Sequence, residues 1–204
     1  MVTYRASGQL HVTTQRESDH STRRQQLVTA VLCAAFDPAT DEAIYAVRDQ
    51  VRALGVALPG RPPHRPHLTL TAARVTRGDE LHRVVETVHE IVARHEPVPI
   101  VLHEVGRFGR AGVLWLGPAR NHGLPALQRD AYRTMKARWS PAFGERSSPN
   151  LWVPHCTLAT RIAKPRLREI EEAIAAAYTP ISGWVAAVAT IFVGGQGDIA
   201  LAPL

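Results

Sequence analysis

The chain has 204 residues, 45% hydrophobic and 21% charged, a composition that supports a buried core and excludes a low-complexity or disordered chain. A formal net charge of +6, with ten histidines able to add to it at lower pH, favours an anionic partner such as a phosphate ester or nucleic acid. The two cysteines, Cys33 and Cys156, form no C-x-x-C pair and argue against a disulfide framework, while the N-terminus lacks a signal-peptide core and no apolar run can cross a bilayer, so the expected setting is the cytoplasm.

Residues 1–26 are polar and follow neither hydrophobic period, which predicts a flexible extension. LVTAVLCAAF (27–36) has the β-branched, apolar look of a buried strand. DPATDEAIYAVRDQVRALG (37–55) predicts a helix capped by Asp37, with Ile44, Val47, Val51 and Leu54 on one face and Gly55 as its stop. RPHLTLTAARV (65–75) is expected to be a strand, 78–95 a helix, and VPIVLHEVGRF (98–108) a strand. The second half repeats the order: a strand in 112–118, a helix in 122–139, a strand over VPHCTLATRI (153–162), a helix in 164–178 and a strand in 181–193, with a last short strand in DIALAPL. The pattern predicts one α+β domain over 27–204, a duplicated unit whose lobes (about 27–108 and 112–204) face each other.

The third element of each half carries the same phrase, PHLTL at 66–70 and PHCTL at 154–158. In a strand, alternate side chains share a face, so His67 and Thr69 point together, as do His155 and Thr157, while Leu68, Leu70, Cys156 and Leu158 point the other way. Two imidazoles in one cleft can divide the work of general base and general acid, and two hydroxyls can hydrogen-bond the non-bridging oxygens of a phosphoryl group between them. Such a set suits in-line cleavage of a phosphodiester with no metal or other cofactor.

A bare H-x-T is expected roughly once by chance in a chain of this composition, and HVTT at His11 is such a copy, without the proline and leucine and inside the polar extension. Requiring P-H-x-T-L lowers the chance expectation below about one in a hundred. A zinc site in HEIVARH (89–95) is disfavoured because its histidines are six residues apart and do not share a helix face; they read as solvated helix residues.

On these two phrases the chain resembles the 2H phosphoesterase superfamily and, within it, the 2′-5′ RNA ligase-like, 2′,3′-cyclic phosphodiesterase branch. The resemblance implies a bilobal, pseudo-twofold α+β fold in which two antiparallel sheets form a central cleft with helices outside. It also implies metal-independent hydrolysis, or reversible ligation, of cyclic or 2′-5′ phosphodiesters, with His67 and His155 as the acid/base pair and Thr69 and Thr157 as phosphate ligands. The branch's aromatic and glycine after the first motif are replaced here by TAARV. Strand parity nominates Arg65, Thr71 and Arg161 as further substrate-binding residues, the arginines as phosphate contacts, and the aromatic rings of Trp152 and Phe108 are candidates to stack on a base. The expected partner is an RNA terminus or nucleotide bound by a monomer away from membranes; a non-catalytic RNA-end binding module is the competing reading.

Overall fold

The computed structural model describes residues 27–58, 64–77, 79–193 and 200–204; the extension expected over 1–26, with its His11, lies outside them. The chain runs β1 (Leu27–Phe36), α1 (Pro38–Ala53), β2 (His67–Thr76), α2 (Asp79–Val92) and β3 (Val98–Phe108). It continues through β4 (Val113–Pro118), α3 (Gly123–Lys136), a two-residue β5 (Ser140–Pro141), a 3-10 turn (Gly144–Ser147), β6 (Cys156–Ala159), α4 (Lys164–Ala177), β7 (Ile181–Phe192) and β8 (Ala200–Pro203).

Local chemistry sets the ends of these elements. Asp37 caps α1, its Oδ1 accepting from the backbone N–H groups of Ala39 and Thr40 at 3.0 Å, and Pro38 fits the first turn because its missing N–H has no intrahelical partner there. Gly55, at φ +81°, supplies the left-handed residue that stops the helix. The second helix ends three residues before the expected His95, because Arg94 and His95 switch to tight bonds with the carbonyls of Ile91 and Val92. His95 then meets Asp130 of α3 at 2.9 Å, and only His89 of that pair is a solvated helix residue.

The two expected sheets are halves of one eight-stranded sheet. Around it β1, β2, β6, β4, β3 and β7 form a closed circuit of antiparallel neighbours, with β7 pairing β3 through its first residues and β1 through its last. The circuit is two-fold in plan: β1–β2 matches β4–β6, β1–β7 matches β4–β3, and the seams β2–β6 and β3–β7 map onto themselves. The helices cross over, α3 packing behind β2 and α1 behind β6, so each half supports the other half's histidine strand.

Leu32, Phe36, Leu68, Leu70, Leu114, Leu116 and Cys156 lie on the helix-facing side and merge with the apolar faces of all four helices into the main core. Val31, Cys33, Ala35, Ala72, Ala187, Ala189 and Ile191 form a second cluster on the opposite side. Cross-strand partners share a face, and Ala35 and Cys33 are the partners of His67 and Thr69, so the second cluster belongs to the histidine side.

Candidate active site

One backbone pairing builds the site. β2 and β6 meet antiparallel at Leu68 and Cys156, both fully buried toward the helices. One residue either way, the register sets His67 against Thr157 and Thr69 against His155, all four half-buried on the opposite face. The two phrases therefore form a single quartet in which each histidine neighbours the other half's threonine.

Both rings are held alike. His67 Nδ1 lies 2.8 Å from the carbonyl oxygen of Arg65, and His155 Nδ1 lies 2.8 Å from that of Val153. A carbonyl only accepts, so Nδ1 carries the hydrogen and, in the neutral ring, Nε2 keeps its lone pair for proton transfer.

The surroundings of the two histidines differ. His155 packs edge-on to Phe108, with ring centroids 4.8 Å apart, and against Trp115 at 6.4 Å. Trp115 is the cross-strand partner of Thr157 and lies over Gly106 and Gly117, which have no side chains to obstruct the indole. Beside His67, Arg65 donates to Asp41 through Nε at 2.9 Å and Nη2 at 2.5 Å, and to the Phe36 carbonyl at 2.7 Å. Burial pushes the Asp41 carboxyl up to about 6, outweighing the opposing pull of Arg65. Cys156 is no nucleophile: burial pushes its thiol up to about 12, against a weaker pull from a backbone hydrogen bond with His67.

A cleft of about 810 Å³ opens beside the quartet, lined by Thr69, His155, Phe108, Trp152, Phe143 and Arg146 among others. Trp152 and Phe108 both line this cleft, Trp152 held by an Nε1–H bond to the Thr69 carbonyl at 2.8 Å. The other three secondary candidates are placed elsewhere. A bulge in β2 pairs Leu32 with Thr71 directly after Cys33 with Thr69, which turns Thr71, 2% exposed, to the core side. Arg65 precedes the strand and is committed to Asp41. At Arg161 the chain has left β6 in a left-handed conformation, φ +60°, so strand alternation no longer applies; the residue lines a separate pocket with Gly55, His64 and Arg166. The residue sequence reasoning missed is Arg146, in a segment with no periodicity; its only signal was a cation three residues after an aromatic in FGER. Among the described residues, no group of three His, Cys, Asp or Glu is placed to hold a metal ion.

Two histidines and two threonines meet at the seam of a duplicated antiparallel α+β fold, the arrangement that the 2H phosphoesterase resemblance implies. Residues 36–193 match the family model of the 2′-5′ RNA ligase superfamily, and the chain belongs to that superfamily. Similar solved structures include Escherichia coli LigT complexed with NADP+, 18% identical over 88% of this chain and 96% of that one, with a TM-score of 0.51. LigT complexed with 3′-AMP is 15% identical over 88% and 99% of the two chains, and a crystal structure of a phosphoesterase is 17% identical over 88% and 98%, each with a TM-score of 0.51. These likenesses establish a shared fold. No curated protein matches the chain. Among the described residues, no helix is long and apolar enough to cross a membrane.

Proposed function

We propose that the protein is a metal-independent phosphodiesterase that opens 2′,3′-cyclic phosphates on RNA ends or small nucleotides. The observation that carries this reading is the quartet itself: two histidines, each with Nδ1 tied to a carbonyl, set against two threonines by one strand register. His155 Nε2 takes a proton from water as its oxygen attacks phosphorus. The bond to one ribose oxygen breaks, its electron pair stays on that oxygen, and protonated His67 supplies the proton that completes the hydroxyl. Thr69 and Thr157 donate to the non-bridging oxygens, whose negative charge grows in the transition state. Trp152 and Phe108 offer aromatic surface to the base. The 3′-AMP held by the LigT structure is a phosphomonoester of the class such opening yields, which fits the reading. We place the reaction in the cytoplasm, a setting that suits two buried thiols that form no disulfide.

The test is hydrolysis of 2′,3′-cyclic nucleotides and cyclic-ended oligonucleotides in excess EDTA. The expected result is turnover with a bell-shaped pH profile, abolished in His67→Ala and in His155→Ala. Full activity in either variant overturns the two-histidine mechanism, binding without product favours a recognition module, and joining to a 5′-hydroxyl acceptor identifies the reverse, ligating direction.

A further inference from the structure

One wall of the cleft is built from a segment of which the chemistry above uses only Trp152. Between β5 and β6 the chain runs along the edge of β2, where β2 and β6 diverge after their single paired position. Three attachments fasten it there. The Ala142 N–H donates to the Ala72 carbonyl at 2.9 Å, and the Trp152 indole donates to the Thr69 carbonyl at 2.8 Å. Between them Gln128, 1% exposed on α3, donates from one amide nitrogen to the Leu70 carbonyl at 3.2 Å and to the Ser147 carbonyl at 2.7 Å. A buried amide serving two backbone carbonyls is a specific device, because either carbonyl left without it carries a desolvation penalty. Here it ties the residue after Thr69 to the residue after Arg146.

The strap therefore presents Arg146 and Phe143 to the cleft that contains Thr69 and His155. Arg146 is exposed and makes no ion pair among the described residues, and Phe143 leaves 44% of its surface in solvent. A guanidinium and an exposed aromatic ring carried by one anchored segment, on the rim of the cleft that holds Thr69 and His155, are complementary to one phosphate and one base of a single strand. The net charge of +6 draws in the same ligand.

We propose that Arg146 and Phe143 form a second nucleotide subsite that takes the nucleotide 5′ of the cyclic end. On this assignment the substrate class is an RNA terminus of two or more nucleotides, and not a free cyclic mononucleotide. The inference rests on the phosphodiesterase reading for the position of the scissile phosphate.

Steady-state kinetics on 2′,3′-cyclic AMP and on cyclic-ended di- and tetranucleotides, with wild type, Arg146→Ala, Arg146→Lys and Phe143→Ala, tests it. The expected result is a wild-type preference for the oligonucleotides. Arg146→Ala should raise their KM about tenfold with kcat retained, leave cyclic AMP unchanged and lower the slope of log kcat/KM against log salt by about 0.7, the value of one single-strand phosphate contact. Arg146→Lys should recover much of the loss, since a point charge still binds phosphate. Equal handling of mono- and oligonucleotides by the wild type, or a parallel loss on both substrates in Arg146→Ala, overturns the subsite while leaving the phosphodiesterase intact. If the wild type cleaves nothing, the phosphodiesterase reading fails, and binding of a 3′-phosphorylated tetranucleotide to wild type and Arg146→Ala decides the subsite alone: weaker binding by the variant supports it and equal binding refutes it.

Discussion

Gly106→Ala isolates the seating of Trp115 without touching a group that meets substrate. A Cβ built at Gly106 falls inside the van der Waals envelope of Trp115 Cη2 and Cζ2 and 2.8 Å from Cε2, where ordinary contact begins at 3.4 Å. The indole also lies over Gly117, where an added Cβ would stand 2.8 Å from its Cζ3, and it neighbours Phe108 and His155, whose ring centroids are 5.4 Å and 6.4 Å away, so its displacement is felt beside His155. Overpacking of this kind costs about 1–3 kcal/mol, and at about 2–4 °C per kcal/mol for a domain of this size the melting temperature should fall by about 2–12 °C. Gly106 has an ordinary backbone φ, so strain at the residue itself contributes nothing. Thermal melts with tryptophan fluorescence read both the cost and the ring's movement, and Trp115→Leu in the same chain should recover much of the stability by removing the clash. A Gly106→Ala protein that melts within about 1 °C of wild type with unchanged fluorescence would refute the packing argument and, with it, the claim that the two glycines exist to admit the indole.

Thr69→Val and Thr157→Val each remove one hydroxyl at constant shape; the expected loss is about a hundredfold in kcat with little change in melting temperature, and full activity in either variant rules that hydroxyl out as a phosphoryl ligand. Asp41 titrates at about 6 in the fold against its ordinary 3.8, so the folded state holds the proton between those values when the unfolded chain has lost it. Its contribution to stability is therefore greatest below about pH 4 and falls by about 3 kcal/mol as pH rises through 6. Melting curves of wild type and Asp41→Asn should accordingly diverge with rising pH, wild type losing ground; parallel curves would mean that Arg65 compensates burial in full. Asp37→Ala strips the cap of α1 and the acceptor of the Trp184 N–H, costing about 1–2 kcal/mol, readable as a drop in denaturation midpoint at constant slope. Neither thiol should react with Ellman's reagent at pH 8 until the protein unfolds, since Cys33 and Cys156 are fully buried and Cys156 is pushed up to about 12; rapid labelling of one equivalent contradicts that burial.

The repeated phrase was legible because H-x-T has the period of a strand, so the face shared by each His/Thr pair follows from spacing alone. The same alternation failed at Thr71 and Arg161 for local reasons. A β-bulge adds one residue and inverts the parity beyond it, and a left-handed residue ends the strand; neither leaves a mark as plain as glycine or proline in TAARV or LATRI. Arg65 lies one turn of chain too early for strand rules, and its partner Asp41 is on a helix, a pairing only tertiary structure brings together. The strap at 142–152 was unreadable because its order comes from Gln128, a residue that looks like an ordinary helical position until its two carbonyl partners are known.

The duplication accounts for how one short phrase, used twice, brings two histidines and two threonines to one seam, where the proposed mechanism gives the two histidines different jobs. Because β2 and β6 run antiparallel about Leu68 and Cys156, a two-fold axis carries His67 and Thr69 onto His155 and Thr157, so the two imidazoles take related positions, which is what the proposed in-line displacement would require of them. A perfectly symmetric site would have no direction, since either ring could serve as base. Direction has to come from residues that break the symmetry, and these lie outside the phrase. The loop of His67 is braced by the Asp41–Arg65 pair, whereas His155 faces Phe108 and Trp115, and the strap carrying Arg146 lines only the side that contains His155. A strand bound by Arg146 would fix which ribose oxygen faces which histidine, so the choice of base and acid becomes a property of how the substrate is held. Reversing the charge at Arg146 should then disturb the pH profile for oligonucleotides and leave that for cyclic AMP as it is, because only the longer substrate reads the asymmetry.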